Sequence, residues 1–262
     1  MTINFEDFKN QAAKILNINL SGYKIKRVQR RTDSLMKRHN IESYEDCIKL
    51  LKTDKEFKAS YMDHFTINTS EFYRNPKNFE YLKDKIIPNL YKEKKHLKIW
   101  SAPCSNGSEP YTLALILTEL NYNKRQYELL ASDLDINILE EARNAVYNEN
   151  SIQNVPDDVR DKYFKNVDGP SRKYKLNLEI VKKVKFEKKD LINESFSKGW
   201  DLILSRNFFI YLTRDIKDAL TLKFAEALNP GGYFFLGNTE FIFNPEQFGL
   251  KKIYSSFYQK IK

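Results

Sequence analysis

Apolar positions recur at helical spacing through the first part of the chain and change to strand-like runs from Leu97 onward. Phe5, Phe8, Ala12, Ile15 and Leu16 form one stripe, interrupted at Leu20-Ser21-Gly22. A second helix is predicted over Tyr23 to His39. Ser43 is placed to cap a third that holds Tyr44, Cys47, Ile48 and Leu51, and a fourth runs from about Asp54 to His64. No period-two pattern occurs here, so residues 1–67 are expected to form a small all-α domain. Asn75-Pro76 has the chemistry of a cap and first turn, opening a helix with Phe79, Leu82 and Ile86 that stops at Pro88.

Leu97, Ile99 and Trp100 then read as a buried strand leading into Ser101 and Ala102. Pro103 and Gly107 break the run into a loop of small residues ending at Ser108. From Glu109 the pattern is helical, with Pro110 in the first turn and Leu113, Leu117 and Leu120 in register, widened by Ala114 and Ile116. Strand, tight loop and helix is how a doubly wound α/β fold begins its ligand site. The helix start offers free N–H groups and partial positive charge to a nucleotide-like ligand. An ordinary βα turn is the other reading, since one Gly is less than a full GxGxxG.

Gln126 to Asp135 reads as a second strand ending in two acids. Asp135 is expected to cap a helix over Ile136 to Tyr147, leaving Asp133 to accept from a ribose diol, although such acids also serve as plain caps. Residues 148–183 interrupt this rhythm with Pro156 and Asp168-Gly169-Pro170. They read as a helix and two antiparallel runs, Lys173 to Leu178 and Glu179 to Val184. Val184 to Leu191, Trp200 to Asn207 and Tyr233 to Leu236 are the next core strands. Thr213 can cap a helix carrying Ile216, Leu220, Phe224, Ala225 and Leu228, which precedes an Asn229-Pro-Gly-Gly turn. Ile253 to Ile261 is predicted as a last antiparallel edge strand.

Composition narrows the class. Cys47 and Cys104 stand far apart and the three histidines are scattered, so neither a disulfide framework nor a metal site is expected. The opening MTINFEDFKN has no basic n-region and no apolar h-region, and no run approaches the roughly 20 apolar residues of a membrane span. A reduced, cytoplasmic protein without membrane insertion is expected. The net charge of +9 points to an acidic partner: nucleic acid, a membrane surface or an acidic protein. Thr66 to Asn75, TINTSEFYRN, packs hydrogen-bonding groups around Phe72 and Tyr73. It reads as a ligand-facing segment in preference to a polar linker.

TINTSEFYRN (66–75), IWSAPCSNGSEPYTLA (99–114), ASDLDINILEEAR (131–143), DLILSRNFFIYL (201–212) and LNPGGYFFLGNTE (228–240) together resemble the S-adenosylmethionine-dependent methyltransferases. More closely, the chain resembles the chemotaxis receptor methyltransferases, the CheR family of protein-glutamate O-methyltransferases. The resemblance implies a Rossmann-like α/β methyltransferase domain over 91–262 with a small β insert at about 148–183. A segment over 68–90 would contribute to the cofactor site, and the helical domain 1–67 would dock substrate. It implies S-adenosyl-L-methionine as methyl donor, S-adenosyl-L-homocysteine as product, and the cytoplasmic helical region of methyl-accepting chemotaxis proteins as partner, with the enzyme acting as a monomer.

At matching positions the resemblance puts Asn68, Ser70 and Arg74 over the cofactor, Arg74 near its carboxylate. Gly107 and Glu109 lie in the first loop, Asp133 at the ribose, Asp190 and Leu191 by the adenine, Asn207 and Phe208 after the fourth strand, and Tyr211 near the transferring methyl. Asn106 and Ser108 replace the family's usual Thr and Glu, Asp190 a usual Asn, and Phe208 a usual Val. The insert has no Gly-Gly loop for a receptor tail peptide. Such chemistry asks for alignment more than for acid–base help, because a glutamate is ionised near pH 7. Tyr211 would orient the carboxylate or contact the sulfonium end; the other reading is a buried aromatic at a strand-to-helix turn.

The predicted second helix puts Ile25, Val28, Leu35 and Met36 on one side and a basic cluster on the other. Lys24, Arg27, Arg31 and Arg38 share a stripe there, with only Asp33 as local compensation. Given the resemblance, this stripe would dock an acidic helical receptor. It also suits a solvated face, or a phosphate backbone in a nucleic-acid methyltransferase. The latter resemble one another in an Asn/Asp-Pro-Pro-aromatic tetrapeptide, where this chain reads RNFFIY, so no nucleic acid is expected.

Overall fold

The computed structural model describes residues 3–65, 70–123, 125–169 and 172–261. Contacts divide the chain into two units, Met1–Asn68 with Tyr211–Asp218, and Thr69–Ile210 with Ala219–Lys262. No boundary contiguous in sequence could have grouped Tyr211–Asp218 with the helical part.

The first unit is built from α1 (Phe5–Leu16), α2 (Ile25–Arg38), α3 (Tyr44–Thr53) and α4 (Lys55–Phe65). The Asn4 side chain accepts from the Asp7 N–H at the start of α1, and Ser43 accepts from the Asp46 N–H at the start of α3. Asp54 does the same for Glu56 and Phe57 at the start of α4. α1 packs on α3, and α4 on α2 and α3, burying Phe8, Ala12, Val28, Leu35, Cys47, Leu51 and Tyr61. Ile25, expected on the apolar side, is 45% exposed. It is the first helical residue, and helical side chains lean toward the N-terminus, so it projects past the packed turns.

The second unit opens with α5 (Pro76–Tyr81), a π turn (Leu82–Ile86) and α6 (Ile87–Glu93). The chain therefore does not stop at Pro88. The Ile87 N–H reaches back five residues to the Leu82 carbonyl, and this widened turn lets a proline enter a continuing helix. The elements that follow are β1 (Leu97–Ser101), α7 (Ser108–Glu119), β2 (Tyr127–Asp133), α8 (Ile136–Asn144), β3 (Val146–Asn148), α9 (Glu149–Ile152) and α10 (Asp157–Tyr163). Next come β4 (Phe164–Asp168), β5 (Lys173–Leu176), α11 (Leu178–Val181), β6 (Lys185–Lys188), β7 (Trp200–Ser205), α12 (Arg214–Ala227), β8 (Leu228–Leu236), β9 (Leu250–Tyr254) and β10 (Phe257–Lys260).

Among the described residues, one sheet runs β6-β2-β1-β7-β8-β10-β9, parallel from β6 to β8 and antiparallel beyond. β1 is followed by β2 on one side, whereas β7 lies on its other side. The order thus reverses between β1 and β7, the place at which sheets of this kind bind their ligands beyond the carboxyl ends of the strands. β7 is buried at every position, as a strand covered on both faces requires. α7 is buried on all sides from Ser108 to Leu117, a fuller burial than its apolar stripe alone implies. No helix among the described residues is long and apolar enough to cross a membrane.

The remaining departures are local. The predicted helix to Tyr147 ends at Asn144, because Ala145 turns left-handed (φ 49°) and Val146–Asn148 joins a sheet ordered β3-β5-β4. That insert sheet takes its third strand from Phe164–Asp168. The run Glu179 to Val184 starts instead with helical α11, capped by Asn177. The tail supplies two strands, and β9, not β10, is the edge.

Asn229-Pro-Gly-Gly lies inside β8 as a bulge: Trp200 pairs with Leu228 and Leu202 with Tyr233. The Asn229 amide donates to the Gly199 carbonyl and the Asp201 carboxylate, at 2.9 and 2.7 Å. A Cβ on Gly232 would stand 2.9 Å from the Asn229 carbonyl oxygen and 3.1 Å from that of Asp201. Neither backbone group can yield, so Gly232→Ala should cost about 1–3 kcal/mol by overpacking. A lower midpoint in urea at unchanged slope is the expected reading, and a parental midpoint would show that the bulge has slack.

Candidate active site

The site is assembled where the loops after β1, β2, β7 and β8 meet. β1 ends in Ser101 and passes into a loop in which Ser105 (φ 49°) and Gly107 (φ 83°) are left-handed. Gly107 caps α7, and a Cβ there would lie 3.0 Å from both the Ala142 methyl and the Tyr111 ring. Only glycine meets both the dihedral and the space. Ser108 donates to the Asn106 side chain through its N–H (3.2 Å) and hydroxyl (2.8 Å). The two residues that depart from the family's usual loop are thus each other's partners.

Asp133, at the end of β2, is 4% exposed. One carboxylate oxygen accepts from the Ser105 N–H (2.8 Å) and the other from the Asp135 N–H (3.1 Å). Asp135 in turn caps α8, accepting from Asn137 and Ile138. Asp133 therefore ties the first loop to the second strand and keeps acceptor capacity on both oxygens. Burial pushes its carboxyl up to about 6. The Ser105 hydroxyl beside it is buried and has no partner among the described residues. A buried hydroxyl of this kind fits a polar ligand.

Glu109 faces inward from the first turn of α7. Its carboxylate accepts from the Ser101 hydroxyl at 2.7 Å and pairs with Arg206 at 3.4 Å, with both partners buried. Burial raises the Glu109 carboxyl, and Arg206 opposes that rise. The same guanidinium donates to the Arg74 carbonyl (2.8 Å) and the Asn75 side chain (2.7 Å), and covers the Phe235 and Phe79 rings. Asn75 is therefore an acceptor for Arg206 and makes no side-chain cap for α5.

Segment 70–75 is held along its length. Phe72 is fully buried between Tyr147 and Phe164, Tyr73 donates its N–H to Thr112 at 3.0 Å, and Asn75 meets Arg206. A polar linker would not be anchored so. Ser70 and Arg74 are half-buried on it, and Asn68 lies outside the described residues.

Asn207 follows β7 in a left-handed conformation (φ 59°) and donates its N–H to Glu240 at 2.8 Å. Glu240 also accepts from Gly237 (2.8 Å) and Ile210 (3.2 Å), so one buried carboxylate ties the loop after β8 to the loop after β7. Phe208 is half-buried beside Phe209. Asp190 accepts from the Ile192 and Asn193 N–H groups and the Asn193 side chain, shaping the turn after β6, while Leu191 is buried. The Lys189 N–H donates to the Asp133 carbonyl at 2.8 Å and brings that turn to the end of β2.

Gly107, Glu109, Asp133, Arg74, Asp190 and Asn207 are thus linked at the carboxyl ends of neighbouring strands. Arg206 and Glu240 join them without having been singled out from the sequence. The signal for Arg206 was a cation placed directly after a strand that carries the apolar run Leu202–Ile203–Leu204. Tyr211 and the basic stripe belong to the first unit. There Lys24 and Arg38 are exposed, whereas Arg27 and Arg31 are half-buried, so a uniformly solvated face does not describe the stripe.

Two domain families match the chain: "CheR methyltransferase, all-alpha domain" over residues 3–66 and "CheR methyltransferase, SAM binding domain" over 68–257. A chemotaxis protein methyltransferase of Listeria monocytogenes is 32% identical over 254 residues, covering 97% of this chain and 95% of that protein. One from Borreliella burgdorferi is 34% identical, covering 86% and 83%. Chemotaxis protein methyltransferase 1 of Pseudomonas aeruginosa is 30% identical, covering 92% and 90%.

Removing the Arg206 charge leaves Glu109 buried and unpaired, so Arg206→Met should lower folding stability by about 3–5 kcal/mol. Glu109→Gln, which can still bond Ser101, should cost less. Denaturant titration of both variants checks the order, and equal midpoints would remove the pair from the architecture. Asp133 gives a pH signature. Its carboxyl titrates at about 6 in the folded chain against 3.8 ordinarily, so its contribution to the free protein's stability is full below the lower value and lost as pH rises through the higher. If Asp133 is the ribose acceptor that the resemblance implies, its ionised form accepts from the diol better than its protonated form. Affinity for S-adenosylhomocysteine should therefore fall as pH drops through about 6. Calorimetric titration across this range should show the step in the parent and lose it in Asp133→Asn.

Proposed function

The chain belongs to the CheR methyltransferase family, and on that premise we propose that it transfers the methyl group of S-adenosylmethionine to glutamate side chains of chemotaxis receptors, forming glutamyl methyl esters. The observation that carries this reading is the Asp133–Ser105 closure of the first loop at the sheet's switch point. It leaves a buried acid and a buried hydroxyl without a partner among the described residues, and both suit a polar ligand. The names of the relatives support a chemotaxis substrate over nucleic acid.

When bound, S-adenosylmethionine supplies an electrophilic methyl group. Asp133 holds the ribose, and the Gly107 turn lets the backbone approach closely. Arg74 answers the cofactor carboxylate with a planar fork of donors. Glu109 and Arg206 hold one another and so fix the segment that carries Arg74. Asn207 and Phe208 line the far side on a loop braced by Glu240. The receptor glutamate is already ionised, so the reaction forms one O–CH3 bond and breaks one S–CH3 bond without a general base. Alignment supplies most of the rate, with Tyr211 orienting the carboxylate oxygen. Receptor helices dock on the positive face of α2 through Lys24, Arg31 and Arg38, in the cytoplasm.

The decisive experiment is incubation with tritiated methyl donor and receptor-containing membranes. Base-labile label on the receptor is expected, and base-stable label or none overturns the assignment. Tyr211→Phe should lower kcat with little change in S-adenosylhomocysteine affinity. Reversing Arg31 and Arg38 to Glu should raise the receptor KM about tenfold or more and flatten its salt dependence, leaving cofactor affinity intact.

A further inference from the structure

Tyr211 closes a short 3-10 turn (Phe209–Tyr211), and the backbone from Tyr211 onward is stapled to the start of α2. The Lys24 N–H donates to the Tyr211 carbonyl at 3.0 Å, Leu212 bridges Tyr23, and the Thr213 N–H donates to the Gly22 carbonyl at 3.0 Å. Side chains extend the staple. The Arg27 guanidinium lies 3.7 Å from the centroid of the Tyr211 ring, with both residues half-buried.

Arg27 has no carboxylate partner among the described residues. Burial disfavours its charged form, Tyr211 favours it, and Arg30 of the same helix opposes it; Arg31 next to it feels burial, Arg27, Tyr211 and Arg30 in the same way. The Tyr211 side chain is therefore what answers this cation, through the negative face of its ring and through its hydroxyl. Lys24 and Arg38, by contrast, are exposed and make no ring contact of this kind.

We propose that Arg27 is a positioning residue for Tyr211 and not one more docking cation: its guanidinium, stacked on the ring, sets the orientation of the phenol used in methyl transfer. This rests on the receptor-methylating reading above. Substrate reaching the basic face and the tyrosine acting on the transfer step are then coupled through one side chain. Arg27 contributes to the turnover rate more than to receptor affinity.

Lysine separates the two roles, because it keeps the charge and loses the planar stack. Arg27→Lys should leave the receptor KM within about twofold and lower kcat about tenfold, as a misaligned orienting group does. In a Tyr211→Leu background the same substitution should lower kcat no further. An independent readout comes from protein carrying 3-fluorotyrosine, with the Tyr211 fluorine resonance assigned by its loss in Tyr211→Phe. That resonance should move in Arg27→Lys while the others stay in place. Parental kcat in Arg27→Lys, an equal loss in the Tyr211→Leu background, or an unmoved resonance would overturn the proposal. If the parent puts no base-labile label on receptor, the functional reading fails instead, and the fluorine signal still decides whether Arg27 sets the ring.

Discussion

A guanidinium that is buried cannot draw on water, so its terminal nitrogens and its plane must be answered by the protein, even though the Arg206 Nε has no partner among the described residues. Arg206 is answered on one side by Glu109, on another by the Arg74 carbonyl and the Asn75 amide oxygen, and across its plane by Phe235 and Phe79. Those partners come from α7, from the segment before α5, from α5 itself and from β8. The cation at the end of β7 thus makes the second unit's separate elements mutually dependent. The pair stabilises less by its net energy than by what an unpaired member would cost.

Around that centre the loops at the carboxyl ends of the strands are joined pairwise by buried carboxylates. Asp133 joins the loop after β1 to the end of β2, and Glu240 joins the loop after β7 to the loop after β8. Each carboxylate accepts backbone N–H groups that a bending chain would otherwise leave without partners in a buried place. This gives loops, ordinarily the most mobile parts of a fold, the fixed geometry that alignment chemistry needs.

Local patterns made much of this readable in the sequence. The strand from Leu97, the small-residue loop and the helix expected from Glu109, which begins one residue earlier, were legible because period, punctuation and capping act within a few residues of one another. Asp135 as a cap and Ser43 as a cap were legible for the same reason. What escaped was decided at a distance. Val146–Asn148 left a helical pattern because β5 offered it a ladder. Pro88 failed to end a helix because a turn upstream widened. Arg206, Glu240 and the stacking of Arg27 on Tyr211 depend on partners that only the fold brings near, and no spacing rule announces them.

The large sheet is open, and its two outermost strands bear on how copies of this chain meet. β6 carries Lys185 and Lys188, and β9 carries Lys251 and Lys252, all exposed on strands of four and five residues. A second molecule adding a strand along either border would have to seat it against these cations. Short borders that carry exposed lysines resist such growth. The sheet can thus end in solvent without inviting aggregation.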